Sequence, residues 1–115
     1  MPNTSDGIIP ESLVKASTDI ATVSSGTHTV AADEVYIMVD YTATGAVTVT
    51  LPAGADHYGR VIVKDRGGNA SVNNITVNPD GAETIDGVTG AGSLILSGNY
   101  VAVTLQFNAT EWSIV

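Results

Sequence analysis

The sequence predicts an all-β fold, a small β-sandwich or barrel-like domain with a short N-terminal arm. Three observations lead there. Short runs rich in Val, Ile, Thr and Tyr recur at close intervals, and most alternate apolar with polar residues at the period of a strand. Between them stand clusters of Gly, Pro, Asn, Asp and Ser, which supply positive φ, fixed φ or local side-chain acceptors for turns. No stretch of the body sustains the period of an amphipathic helix. With 115 residues the chain is long enough for one domain and for burial of about two-thirds of its unfolded surface. The pattern divides it into an arm, residues 1–21, and a β-domain, residues 22–115.

The arm opens with polar, turn-forming residues, Pro2 to Gly7, followed by the apolar pair Ile8 and Ile9; Pro10 to Lys15 has room for one helical turn at most. So short a segment cannot bury Ile8, Ile9, Leu13 and Val14 by itself. Those four residues are therefore expected to cover an edge of the domain or to insert into a neighbouring protein, unless the arm is simply a frayed terminus.

From Ile20 the strand signals follow in order: Ile20 to Val23, His28 to Val30, Val35 to Tyr41 and Val47 to Leu51. In Val35 to Tyr41 the odd positions are apolar and the even ones mixed, which marks one face as core and the other as half covered. Val47, Val49 and Leu51 alternate with Thr48 and Thr50 until Pro52, which cannot donate to a ladder, stops the run. The central stretch, Gly59 to Gly87, holds two more strands, around Val61 and Val63 and around Ile75 and Val77. They are separated by the loop Asp65 to Ser71 and followed by the turn Asn78-Pro79-Asp80-Gly81. Leu94 to Leu96, Tyr100 to Phe107 and Trp112 to Val115 complete the series, without an equal-length repeat.

The order of features in that central stretch carries a resemblance. Gly59-Arg60, an apolar strand ending Lys64-Asp65, a Gly-rich turn, Asn73-Asn74-Ile75-Thr76-Val77, Asn78-Pro79, then Thr84-Ile85-Asp86-Gly87 resembles a module common in tailed-bacteriophage virion proteins. There the module closes with a hydrophobic strand and a terminal Trp strand, as Tyr100 to Phe107 and Trp112 to Val115 do here. The similarity runs from about Thr42 to Val115. Such modules occur in tail fibres, other appendages and head-associated proteins, usually as trimers. The resemblance thus implies an all-β virion component that assembles as a homotrimer. The matched residues belong to turns and strands and specify a fold family better than a task.

Composition agrees with a role in assembly. Hydrophobic residues make up 43% of the chain and charged ones 14%, against about 25% charged in an average globular protein. A surface so poor in charge and rich in hydroxyls and amides suits contact with neighbouring subunits. The net charge is −8, and Lys15, Arg60, Lys64 and Arg66 are the only permanent cations, so no basic patch exists to neutralise several phosphates and direct nucleic-acid binding is not expected. The absence of cysteine excludes disulfides and thiolate metal sites. The first twenty residues lack the basic and apolar regions of a secretory signal and no apolar run approaches a membrane span, so assembly in the host cytoplasm without a membrane partner is expected.

Signals for chemistry are sparse. His28 and His57 are far apart and stand in no zinc-ligand spacing. Ser24, Ser25 and Ser71 lack a pattern of base and orienting acid. Asp33-Glu34 and the group Asp80, Glu83 and Asp86 are the only clustered carboxylates with any bearing on hydrolysis or a hard cation, and the EF-hand spacing is absent. Neither Gly67-Gly68 nor Gly90-Ala91-Gly92 is followed by the Lys-Ser/Thr of a phosphate loop. Neither a cofactor, a metal nor a catalytic residue is expected. Tyr100, Phe107 and Trp112 are expected to serve the core or a subunit interface, with Trp112 fixing the last strand.

The expectation is a non-enzymatic virion protein, most specifically a capsid decoration (cement) protein that binds and stabilises the head shell. Its partners would be copies of itself and the major capsid or another virion protein. Starting at its own Met1 with an arm in place of a coiled-coil shaft favours decoration. A tail-fibre or appendage module that binds the host surface is the alternative, and a carbohydrate-active enzyme using the Asp80 to Asp86 carboxylates is a third reading from another class.

Overall fold

A computed structural model describes residues 20–42, 45–57 and 59–115. Ile8, Ile9, Leu13 and Val14 of the arm lie outside the described residues. Among those described the fold is all-β, with one short 3-10 helix at Gly54–Asp56 and no α-helix. The strands are β1 (Ile20–Val23), β2 (Thr27–Thr29), β3 (Tyr36–Val39), β4 (Val47–Thr50), β5 (Arg60–Asp65), β6 (Ile75–Asn78), β7 (Thr84–Ile85), β8 (Val88–Thr89), β9 (Leu94–Leu96), β10 (Ala102–Phe107) and β11 (Trp112–Ile114). Ile20 and Ala21, which the sequence division leaves with the arm, form the first half of β1.

Two mixed sheets are built from these strands. The larger runs β1-β3-β5-β10-β11-β7-β8 and the smaller β2-β4-β6-β9. From β1 to β6 the chain alternates between the sheets, and every return is parallel: β1 to β3 to β5 in one, β2 to β4 to β6 in the other. The chain from β1 to β6 is therefore wound in three stacked coils. Their registers place Ile20, Tyr36 and Ile62 side by side, and likewise Thr27, Thr48 and Thr76. The step from Ile20 to Tyr36 is much shorter than that from Tyr36 to Ile62, because the loops differ while the paired strands correspond. This is why the sequence has a rhythm without a fixed repeat length. The later strands reverse direction and close the stack, β9 running antiparallel to β6 and β10 antiparallel to β5.

Alternation decides which side chains enter the core. Ala21, Ile37, Val63 and Val103 stand in one inward row across the larger sheet, and Val47 with Ile75 and Val49 with Val77 form the facing rows of the smaller. All belong to one apolar cluster that also takes in Leu51, Ile85, Leu105 and Trp112. Strands that lie inside a parallel stack gain from β-branched residues, whose shape fills a pleated surface; full burial of each such side chain contributes roughly 1.5–3 kcal/mol.

One fully buried strand position is not apolar. Asp65 continues the row of Val23 and Val39 and is 2% exposed. Its Oδ1 accepts the Gly68 amide at 3.2 Å, and its Oδ2 accepts the amides of Ala70 and Tyr100, each at 3.0 Å. Three backbone donors thus replace water around the carboxylate and tie the loop after β5 to the turn before β10.

The hairpin β7–β8 falls between the turn at Gly81 and the strand at Leu94, where the sequence pattern assigns no strand. Ile85 pairs with Val88 across Asp86-Gly87, whose φ values are 48° and 84°. Positive φ at both central residues is the geometry that Asp-Gly favours in two-residue hairpins, so the signal was present in the dipeptide itself.

Candidate functional site

The histidines, which no spacing connects in sequence, meet at one residue. His28 Nε2 lies 2.8 Å from Glu34 Oε1, which also accepts the Ala31 amide at 2.9 Å. His57 reaches the same residue through the backbone: the Gly59 amide donates to its Nδ1 at 3.0 Å, so Nε2 carries the hydrogen and donates to the Glu34 carbonyl. Folding brings His28 and His57 together by placing the β2–β3 loop beside the turn after the 3-10 helix. Both nitrogens of His57 are engaged in fastening these loops. Among the described residues no group of three or more His, Cys, Asp or Glu side chains is placed to hold a metal ion.

Two carboxylates of the 80–86 segment, those of Glu83 and Asp86, are committed to different partners. Glu83 Oε1 accepts the indole N–H of Trp112 at 3.3 Å, and its Oε2 accepts the Gly54 amide at 3.1 Å. Asp86 Oδ1 accepts the Ile114 amide at 3.2 Å. Asp80 is exposed, and its carbonyl accepts the Glu83 amide at 2.8 Å, closing the turn at Gly81. A fourth carboxylate, Glu111, takes the Thr84 hydroxyl at 2.7 Å and the Gly87 amide at 2.9 Å. Together these bonds pin the β7–β8 hairpin to β11 and to the 3-10 turn. In this arrangement the carboxylates of Glu83, Asp86 and Glu111 fix strands and turns. Of the serines, Ser25 Oγ donates to the Thr27 carbonyl and Ser71 offers its amide to Asn99.

The three aromatic residues singled out from sequence occupy different depths. Trp112 has no exposed surface, and the partly buried Phe107 ring packs on it with centroids 5.3 Å apart. His57 approaches the indole from another side at 6.1 Å. Tyr100, at positive φ, stands 61% exposed on the turn before β10 with its ring against Gly68. The Lys64 ammonium donates to the Tyr100 carbonyl and lies 5.9 Å from its ring centroid.

The two sheets present different outer surfaces. The outer face of the smaller sheet is uncharged and hydroxylated: Thr27, Thr48 and Thr76 stand in one row, and Thr29, Thr50 and Asn78 in the next. The outer face of the larger sheet carries Ile20, Tyr36, Ile62 and Thr104 in register, with Val115 following alongside as its N–H donates to the Thr104 carbonyl at 3.0 Å. At one end of the coil stack, among the described residues, β1 and β2 are the terminal strands of their sheets. Half the backbone groups of such strands point away from their neighbour, which makes them places where another strand can add.

These two faces and the two terminal strands form the candidate functional surface. No protein-family model matches this chain, and no curated protein matches it.

Proposed function

We propose that this chain is a structural protein of a bacteriophage virion, a capsid decoration protein that binds the head shell and stabilises it as a homotrimer. The observation that carries the reading is the end of the coil stack. There β1 and β2 terminate both sheets in the same coil, and the apolar-tagged arm enters the domain at that coil. A small two-sheet body of sandwich type, with strand edges and an arm at one end, is suited to pairing with capsid subunits through its backbone and inserting Ile8, Ile9, Leu13 and Val14 between them. The resemblance between Thr42 and Val115 supports the virion setting. The use of Glu83, Asp86, Glu111 and His57 as fasteners supports a mechanical over an enzymatic task. Three modest contacts on one trimer hold more strongly than one, because the second and third are intramolecular once the first has formed.

Mounted on a fibre, the same module would belong to the adsorption apparatus, and the hydroxylated face of the smaller sheet favours that second reading because it offers donors and acceptors to a glycan. Co-sedimentation of the purified protein with undecorated phage heads, and separately with host cells, distinguishes the two. Saturable binding to heads that is lost when residues 1–15 are removed is the expected result. Binding to cells alone would reject decoration in favour of an appendage.

A further inference from the structure

We propose that the outer face of the larger sheet is the seat of a second copy of this chain, with apolar contact at its centre and attraction between its cations and the acidic surface of the copy at its margins. This inference rests on the proposed homotrimer and says which surface builds it.

The face departs from the rest of the molecule in charge. The chain holds twelve acidic residues against four basic ones, yet the only acid within the strands of the larger sheet is Asp65, which points inward and is buried. The cations gather here instead. Arg60 and Lys64 flank Ile62 on the outward side of β5, and past the strand ends Arg66 after β5 and Asp40 after β3 are both exposed. Between them runs the row Ile20, Tyr36, Ile62, Thr104 and Val115, in which Ile20 and Val115 are 47% and 70% exposed. An apolar row edged with positive charge, on a protein of net charge −8, is the one sheet surface that a like-charged copy can approach with attraction in place of repulsion.

The complementary surface lies at the opposite edge of the molecule. Asp80 before β7 and Asp86 after it are exposed, and Val88 on the last strand of the larger sheet and Ile95 on the last strand of the smaller are outward and apolar. The Ser93 hydroxyl bonds to the Val88 carbonyl and holds these two strands close. A contact between unlike patches is heterologous, and a heterologous contact that closes makes a ring, as a three-fold assembly requires. With five strands at about 4.8 Å and three outward positions at about 6.8 Å each, the face measures roughly 24 by 20 Å. One contact of this size falls below the ~800 Å² per partner of a standard interface. Each copy in a ring uses both of its patches, so closure supplies the rest.

Sedimentation velocity of the full-length protein over a range of concentration and salt tests this. The wild type is expected to associate to a trimer and to shift toward monomer as salt is raised, because the charges at the margin are screened. The double variant Arg60→Glu/Lys64→Glu is expected to weaken association about ten-fold or more, and mixing it with Asp80→Lys copies is expected to recover part of the loss. Tyr36→Glu, judged folded by its thermal melt, gives the same reading should the double variant fail to fold. Wild-type sedimentation by folded Tyr36→Glu and Arg60→Glu/Lys64→Glu, or a wild type that stays monomeric, overturns the inference. So does loss of association on removing residues 1–15 while the face variants still associate, since the arm would then be the occupant. Head co-sedimentation on the same samples separates the two ideas: head binding by a monomer overturns this inference and leaves decoration standing, whereas association through this face without head binding supports it and rejects decoration.

Discussion

The carboxylate of Asp65 accepts the amide of Tyr100 at 3.0 Å, a bond between the end of β5 and a turn thirty-five residues later. It lets β10 return antiparallel to β5 with Val103 opposite Val63 in the core row. Gly68 and Ala70 donate to the same carboxylate, so its removal strands three amides at once. Asp65→Asn keeps the shape but turns an NH2 group toward at least one donor. It is expected to destabilise the fold by about 2–4 kcal/mol, within the range for breaking a buried charged acceptor from its partners, as measured by urea unfolding. An unchanged midpoint would show that the loop re-forms its bonds with water.

Glu83 and Trp112 make a second cross-link, from the turn before β7 to the last strand. Glu83→Ala leaves the indole N–H, which has no exposed surface, and the Gly54 amide in want of acceptors; a cost of about 2 kcal/mol is expected. Glu83→Gln retains a carbonyl oxygen for one of them and should cost less. Because Trp112 is the single Trp of the chain, its fluorescence follows unfolding in both variants without a label. Equal stability of Glu83→Ala and wild type would remove this bond from the account of the fold.

Much of this was legible in the sequence, and the exceptions have physical causes. Alternation in Tyr36-Ile37-Met38-Val39 identified Ile37 and Val39 as core, since period two follows directly from strand geometry. Turn chemistry likewise placed the reversal at Asp80-Gly81, where Gly81 has φ of 51°. The parallel winding was hidden because the loops between coils differ in length, so stacked strands have no common period. His28 and His57 share Glu34 only through that winding. Asp65 read as a turn residue, and bonds within its own loop to Gly68 and Ala70 agree with that; the third bond, to Tyr100, depends on a pairing no local pattern encodes. The depths of Trp112 and Tyr100 differ for a similar reason. Trp112 lies on an inward position of a paired strand and Tyr100 on a turn.

Gly54 and Gly68 are required for different neighbours. A Cβ on Gly54 would stand 2.2 Å from Phe107 Cδ1, and one on Gly68 would stand 2.2 Å from Tyr100 Cζ at a φ of +72°. The Phe107 ring is held between this turn and Trp112, so Gly54→Ala is expected to cost about 1–3 kcal/mol through overpacking. Tyr100 is exposed and its ring can swing outward, so Gly68→Ala should cost mainly the left-handed backbone, about 1–2 kcal/mol. Gly81 has positive φ but open space around it, and Gly81→Asn, which tolerates that conformation, is expected to stay within about 0.5 kcal/mol of wild type. Thermal melts of the three variants check the order.

Two positions of the middle coil show what winding requires of each face. Ile37 lies inward between Ala21 and Val63 with no exposed surface, and Ile37→Ala opens a cavity beneath all three coils; a loss of about 2–5 kcal/mol is expected. Thr48 lies outward between Thr27 and Thr76 on the smaller sheet. Thr48→Ala forfeits β propensity and cross-strand contact worth about 0.2–1 kcal/mol, leaving the core rows intact. Chemical denaturation of both variants separates the alternatives. If Thr48→Ala proved as costly as Ile37→Ala, the outer rows of the smaller sheet would have to carry stability of their own, as they would if that face were packed against another protein surface under the conditions of measurement.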